Sequence, residues 1–392
     1  MKNESNSFLP GEEYYDYDFN GTFDIDEYLK KDKESDFDIG IKYGLNILSF
    51  IVAFIGNLCI IIVILKTKSL RTKFNLYIVN LAIADFLMPT ICMWIYMVNS
   101  SRDQWLLGSF LCKIHTFVQV TIVCTSVFTL TTVTLDRFLA TVCPSAVWIT
   151  QKCQPLAIVI IWISALSIAV PWIVYQFYAE FDWIGGHEIV CQSKFPSEQA
   201  RKNYYVAFFT IVFIVPLFLM FTLIIITIVK GDAVPRHSST EIETYQETRR
   251  KAVYMTLTVV IVFCVCWTPQ QSLLLWDACR DHRDRFKKQP DIKSLHNITL
   301  YMAYSSSAIN PIIYYLYNKC FRHALYTLLK TRCKGDHSDM SIAPETVPEP
   351  IEMNVTATTN VATTVNNRKL NEGSSTNGFT TDSSLTTMSL SD

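Results

Sequence analysis

Seven stretches of this chain are long and apolar enough to cross a lipid bilayer as helices, and that requirement constrains the fold more than any other feature. They run over about 43–65, 75–98, 111–142, 155–178, 204–229, 252–276 and 295–317. A bilayer's hydrocarbon layer needs roughly 20 apolar helical residues to span it. Inside it the backbone must satisfy its own hydrogen bonds, which a helix does within one segment. The first, fourth, fifth and seventh stretches hold no Asp, Glu, Lys or Arg, and the second holds only Asp85. The third has Lys113 near one end and Asp136-Arg137 near the other. Half of the 392 residues are hydrophobic and 18% are charged, whereas a soluble chain carries about a quarter charged residues. That excludes an ordinary cytosolic enzyme. The expected fold class is an all-α membrane protein, a seven-transmembrane helix bundle embedded in the lipid bilayer.

An odd number of spans puts the two chain ends on opposite sides. Basic residues in short loops mark the cytoplasmic side. Lys66, Lys68, Arg71 and Lys73 form one cluster, Arg249, Arg250 and Lys251 a second, and Lys319, Arg322, Lys330, Arg332 and Lys334 a third. All three fall on the same side. The loop 277–293 dissents, with six Lys/Arg against four Asp on the opposite face. The expected organisation is an extracellular head at 1–41, the bundle with a short amphipathic eighth helix at 42–331, and a cytoplasmic tail at 332–392. The head carries twelve Asp/Glu against four Lys. Its composition and that of the Thr-, Ser- and Asn-rich tail read as disordered. No cationic segment followed by a short apolar run opens the chain, so a cleavable signal peptide is not expected. The sequons at Asn3 and Asn20 are candidate glycosylation sites, and Asn99 and Asn297 also begin Asn-x-Ser/Thr on the outer side.

Charged side chains inside a membrane are kept where they have partners and a role. Asp85 ends Asn80-Leu81-Ala82-Ile83-Ala84-Asp85, and other motifs stand in register with it. They are Gly56-Asn57, Asp136-Arg137-Phe138, Trp162, Pro216, Cys266-Trp267-Thr268-Pro269 and Asn310-Pro311-Ile312-Ile313-Tyr314. On these motifs the chain resembles the rhodopsin-like (class A) G-protein-coupled receptors, across all seven spans. The resemblance implies a cell-surface receptor of the plasma membrane, multi-pass, with an extracellular N-terminus and a heterotrimeric G protein as partner. It implies an activation switch of Trp267, Pro269, Asp136, Arg137, Asn310, Pro311 and Tyr314. It implies a disulfide between Cys112 and Cys191, and an allosteric sodium ion held by Asp85, Ser126, Ser307 and Asn310. No other cofactor is expected, and nucleic acid is not an expected partner. Proline removes a backbone donor and kinks its helix, so Pro269 and Pro311 can act as pivots on physical grounds as well. Two positions depart from the family pattern. Arg249 stands where some receptors carry an acid to lock Arg137, so that lock cannot form, and Ile224 replaces a Tyr expected to face Tyr314.

Single residues separate rival ligand classes. No Lys in 295–317 could carry retinal, and Gln119 stands where amine receptors carry an Asp. An enzyme is not expected, because the spans hold no metal or nucleophile constellation. Gln119 resembles the corresponding residue of the neuropeptide Y, RFamide and orexin-like receptors, which implies a peptide ligand. An amide side chain donates and accepts at once, which suits a carboxamide terminus. Gln270, Gln271, Leu274 and Tyr304 complete the candidate ligand set. Asp277 is expected to meet an arginine near the ligand's C-terminus. The head's Glu12-Glu13-Tyr14-Tyr15-Asp16-Tyr17-Asp18 would steer a cationic ligand. The alternative function is an arrestin-biased or scavenging peptide receptor without G-protein signalling. Phe321, Leu325, Leu328 and Leu329 fall on one face after the seventh span, the pattern of an interfacial helix. Cys333 beyond them is a candidate palmitoylation site.

The tail ends with Thr380, Thr381, Ser383, Ser384, Thr386, Thr387, Ser389 and Ser391. Each phosphate there would add about −1.5 to −2 charge, making an arrestin-binding surface. Truncation after Gly378 is therefore expected to abolish ligand-driven arrestin recruitment, read by proximity luminescence. Recruitment at the full-length level would relocate the function.

Overall fold

The computed structural model describes residues 36–100, 105–143, 147–183, 186–232, 240–280 and 290–334. The head sequons Asn3 and Asn20, the head tyrosines and the tail hydroxyls lie outside the described residues. The bundle comprises helices Asp36–Lys66, Lys73–Ser100 (with an internal π turn), Gly108–Val142, Val147–Tyr175, Glu198–Asp232 (likewise), Thr240–Cys279 and Pro290–Tyr317. Arg236–Thr248 and His337–Asp392 form a separate unit, of which residues 240–248 are described, as helix.

Six of these helices are long and apolar enough to cross a membrane by themselves. The seventh, Pro290–Tyr317, is more polar, because Ser305, Ser306, Ser307 and Asn310 interrupt its apolar run. Ser306, Ser307 and Asn310 are buried. These polar groups are therefore turned into the bundle, together with Tyr304 and apolar Ile313, whereas Ile312 and Leu316 are exposed.

Local chemistry sets several helix ends. The Thr72 hydroxyl accepts from the Asn75 N–H at 3.2 Å, and Ser197 accepts from the Ala200 N–H at 3.1 Å. Both are N-caps that satisfy a donor the helix cannot. Glu198 then adds negative charge to a first turn, where the helix dipole favours it. The second and fifth spans each contain a π turn, Met88–Met93 and Phe209–Ile214. Pro89 lies in the first and Pro216 just beyond the second. Missing proline donors and π turns commonly go together, because the wider turn absorbs the lost bond.

The fourth span was expected to run to residue 178, and the structure stops it at Tyr175. Strand β1 (Gln176–Trp183) follows and pairs antiparallel with β2 (Gly186–Ser193). Among the described residues the fold is thus helical apart from one hairpin, which lies at the end of the bundle where the fourth span stops. Outside the hydrocarbon, strand pairing satisfies the backbone as well as a helix would. The Cys112–Cys191 disulfide ties β2 to the third span. Beside it Trp105 is buried, its backbone N–H donating to the Ile189 carbonyl at 3.1 Å and its Nε1 to the Gly108 carbonyl at 2.9 Å. Gly108 has φ +74°, a left-handed conformation that glycine adopts without steric cost.

Polar contacts fix the register of the helices. Asn57 Nδ2 donates to the Ala53 carbonyl in its own helix and to the Ser307 carbonyl of the seventh span, at 2.8 and 2.9 Å. Asn80 Nδ2 donates to Thr129 Oγ1 at 2.8 Å, and Trp162 Nε1 donates to Asn80 Oδ1 at 3.0 Å. The second, third and fourth spans are joined at that point. After the seventh span, Lys319–Lys334 forms a further helix. Its start is capped by Asn318 Oδ1, which accepts from the Phe321 N–H at 3.0 Å. Phe321 is buried and Leu325 and Leu328 pack on the core, whereas Leu329 is exposed. The expected apolar face therefore holds for three of its four residues. Cys333 lies in the last turn, and its side chain is outside the described residues.

Gly56 permits the closest approach between the first and seventh spans. A Cβ there would stand 2.7 Å from both Cβ and Cγ of Pro311, and a proline ring cannot rotate away. Overpacking of a core costs about 1–3 kcal/mol. Gly56→Val should lower surface receptor several-fold and reduce the Tm of the purified protein. Wild-type values of both would mean the two helices separate freely.

Candidate functional site

Beneath the hairpin lies a cavity of about 550 Å³, walled by the second to seventh spans, the fourth through Trp172. Gln119, Gln270, Gln271, Leu274 and Tyr304 line it, with Trp267 among the wall residues. Five of the six candidate ligand residues are thus brought together. The sixth, Asp277, stands outside the cavity wall. Its carboxylate oxygens lie 3.8 Å from Arg201 Nη1 and 3.8 Å from Arg280 Nη1. The cationic partner expected from a ligand is supplied there by the chain itself.

The wall is largely apolar with a few neutral polar groups: among the described residues that form it there is no Asp, Glu, Lys or Arg. Thr299 Oγ1 donates to Gln270 Oε1 at 2.6 Å, so Gln270 is a strut between the sixth and seventh spans. The side chains of Gln119 and Gln271 make no protein hydrogen bond among the described residues. The Tyr304 hydroxyl and His115 Nε2 are buried and also lack a protein partner. Unpaired polar atoms of this kind cost about 1–3 kcal/mol when shut away from water, so a bound polar group gains by filling them. Asn99 and Asn297, both sequon residues, also line the cavity, and the Asn297 carbonyl accepts from the Tyr96 hydroxyl at 3.2 Å.

Sequence reasoning missed His115, Tyr205, His296 and the hairpin residues Ile189 and Val190 as wall residues. His115 was within reach, because it lies four residues before Gln119 on one helix face. The hairpin's contribution depends on its folding over the mouth, which hydropathy does not report.

Below the cavity Trp267 Nε1 donates to Ser306 Oγ at 3.0 Å, and Ser306 Oγ donates to the Ala303 carbonyl at 2.7 Å. Phe263 stacks on Trp267 with ring centres 5.8 Å apart. Deeper still, Ser307 Oγ donates to Asp85 Oδ1 at 3.0 Å and Asn310 Nδ2 to Oδ2 at 2.6 Å. Ser126 is buried nearby in the third span and makes no hydrogen bond to Asp85 among the described residues. At the opposite end of the third span from Cys112, Arg137 pairs with Asp136, and its guanidinium lies 4.0 Å from the centre of the Phe74 ring. Tyr314 and Ile224 are both buried.

Comparison with known proteins places these features. The family described as "7 transmembrane receptor (rhodopsin family)" matches residues 56–314. The chain belongs to the rhodopsin family of seven-transmembrane receptors. It is 27% identical over 326 residues to a QRFP-like peptide receptor of Branchiostoma floridae, covering 78% of this chain and 81% of that one. It is 29% identical over 276 residues to the neuromedin-K receptor of Cavia porcellus, covering 69% of this chain but only 61% of that one. It is 28% identical over 295 residues to neuropeptide FF receptor 2 of Mus musculus, covering 71% and 69% respectively. Tachykinin-type receptors thus join the RFamide type among its relatives, a branch that Gln119 alone did not indicate. The family is one of receptors and not of enzymes, and the protein is a multi-pass membrane receptor.

The receptor links its third and sixth spans in a way the sequence did not suggest. Arg249 cannot pair with Arg137, but its Nε donates to Thr141 Oγ1 at 3.1 Å, and Thr141 Oγ1 donates to the Arg137 carbonyl at 2.9 Å. A hydrogen bond to a charged group contributes about 1.5–3 kcal/mol. Thr141→Val should therefore increase ligand-free motion of a fluorescent label at the cytoplasmic end of the sixth span. Thr141→Glu, which offers Arg249 a carboxylate, should decrease it. The same change of sign in both variants would contradict a latch at this point.

Proposed function

We propose that this protein is a cell-surface receptor for an extracellular peptide with an uncharged, amidated terminus, and that it activates a heterotrimeric G protein. The observation that carries the reading is the largely apolar cavity around Gln119, with no Asp, Glu, Lys or Arg among its described wall residues, in which Tyr304 and His115 keep buried polar atoms without protein partners. A carboxamide can both donate to and accept from such groups. A free carboxylate would have to shed water with no cation in the wall to receive it. Relatives named as receptors for QRFP-like peptides and neuropeptide FF support the peptide class. The acidic head, held outside the cell by the distribution of loop cations, would draw a cationic peptide toward the mouth.

The peptide's terminus enters the cavity and bears on Trp267. Trp267 transmits through Ser306 and the Pro269 pivot, and the sixth span's cytoplasmic end swings away from the third. Arg137 is then free to leave Asp136 and meet the G protein. Asp85 with Ser126, Ser307 and Asn310 offers the hard oxygen donors a sodium ion prefers. Asn310 here turns its amide nitrogen to the carboxylate. Such an ion would hold the spans in the resting arrangement.

The test is nucleotide exchange on the G protein, driven by a library of amidated peptides on membranes containing the full chain. For an active peptide, Gln119→Ala should reduce potency about tenfold for the amide, the scale of one buried hydrogen bond. The matched free acid, already weak, should lose much less. Replacing choline by sodium should lower agonist affinity in the wild type and leave Asp85→Asn unmoved. Equal losses for amide and acid would sink the carboxamide assignment. Ligand uptake without exchange would favour the scavenging alternative, to which buried Ile224 in place of Tyr gives some weight.

A further inference from the structure

Arg201 is buried near the start of the fifth span, although arginine is among the residues least often enclosed. Its guanidinium reaches across to the extracellular end of the sixth span. Nη2 donates to the carbonyls of Asp277 and Ala278, each at 3.2 Å. Nη1 lies 3.8 Å from the Asp277 carboxylate, and Nε lies 3.4 Å from Glu198 in its own helix. The guanidinium also sits 6.0 Å from the centre of the Tyr205 ring, which lines the cavity. The two carbonyls belong to the last turn of Thr240–Cys279, where helix carbonyls have no partner in the helix and the dipole favours a cation. A planar fork with several fixed donors is suited to meeting both at once.

We propose that Arg201 is a positioning residue that clamps the extracellular arm of the sixth span to the fifth and so fixes the wall that reads the ligand. The arm in question runs from Pro269 to Cys279 and carries Gln270, Gln271 and Leu274 into the cavity. Distances rank the contacts. The carbonyl bonds at 3.2 Å are hydrogen bonds, whereas the carboxylate at 3.8 Å is an ion pair whose acid is 43% exposed. Such a half-exposed pair is screened by solvent and contributes little. The clamp therefore rests on the backbone of the sixth span, and Asp277 serves as a local counter-ion. Its specificity consequence is that no acid faces the cavity there, so a ligand's guanidinium is not read at Asp277. This last clause rests on the peptide reading above, whereas the clamp itself does not.

Two measurements on the full chain in nanodiscs test it. In the first, spin labels carried by unnatural amino acids at Asn203 and Ser272, both exposed, report the distance between the two arms without ligand. A narrow distribution is expected for the wild type and Asp277→Asn, a broadened and outward-shifted one for Arg201→Gln, and an intermediate one for Arg201→Lys. A distribution for Arg201→Gln that matches the wild type would overturn the clamp, and so would equal broadening by Asp277→Asn. In the second, an active amidated peptide and its citrulline-for-arginine analogue are compared on Arg201→Gln. Both should lose potency by the same factor, about tenfold, with surface receptor within twofold of wild type. A loss confined to the arginine peptide would place its guanidinium at this site and overturn the specificity clause. If no amidated peptide activates the wild type, the peptide reading fails while the distance measurement still decides the clamp.

Discussion

A polar side chain in hydrocarbon has no water to bond, and the packing of this bundle follows from pairing those it contains. The polar residues divide into two kinds. Thr121, Thr134 and Thr227 donate to the carbonyl four residues earlier, so they satisfy themselves wherever their helix lies. Asn57, Asn80, Asp85 and Trp162 instead find partners on other helices. Each of those bonds sets the height of one span against another, because a slide of even one helical turn would leave both groups unpaired. The apolar contacts are non-directional and tolerate such a slide far better. Register is thus set by a few directional bonds, and burial supplies the bulk of the cohesion.

The spans were legible because membrane insertion imposes a crude and long-range pattern on the sequence. The interior motifs were legible because polar residues inside a membrane are rare enough to stand out. What remained hidden shares one physical cause: it depends on atoms brought together from distant parts of the chain outside the hydrocarbon. The hairpin Gln176–Ser193 begins with Gln-Phe-Tyr, which reads as a continuation of an apolar helix. Asp277 was read as open to a ligand because the sequence does not reveal that Arg201, 76 residues earlier, folds back onto its carbonyl. The Arg249–Thr141 bond was missed for the same reason. A basic residue excluded the expected ionic lock, yet nothing local pointed to a neutral acceptor 108 residues away.

Charge in this receptor is segregated by depth, and the cost of desolvation explains the order. Among the described residues, the cavity wall holds no Asp, Glu, Lys or Arg, and the Asp85 carboxylate lies deeper, bonded to Ser307 and Asn310. Arg201 and Arg280 sit at the boundary, each with Asp277 as a neighbour and an aromatic ring beside it, Tyr205 and Trp276. Guanidinium groups tolerate that position because they are weakly hydrated and stack on aromatic faces. A ligand that entered with its charged residues leading would lose their hydration without a counter-charge in the wall. One that enters with an amide and an apolar side chain meets Gln119, Tyr304 and Trp267 and leaves its charges outside.

The sixth span is held unequally above and below Pro269, and that inequality gives its motion a direction. Above the proline, Arg201 grips two backbone carbonyls and Thr299 grips Gln270. At the level of the pivot, Trp267 is bonded to Ser306. Below it, Arg249 bonds Thr141 and Thr258 meets the Tyr317 hydroxyl at 2.9 Å, both through side chains. A lever with one arm fixed to its neighbours and the other lightly latched moves at the latched end. A disturbance of Trp267 by a ligand therefore has little access to the extracellular arm. On the proposed mechanism it is released where Arg249 leaves Thr141, whose hydroxyl donates to the Arg137 carbonyl. Arg249 stands where some receptors carry an acid, and the third and sixth spans still meet there, through a cation–hydroxyl bond from Arg249 to Thr141.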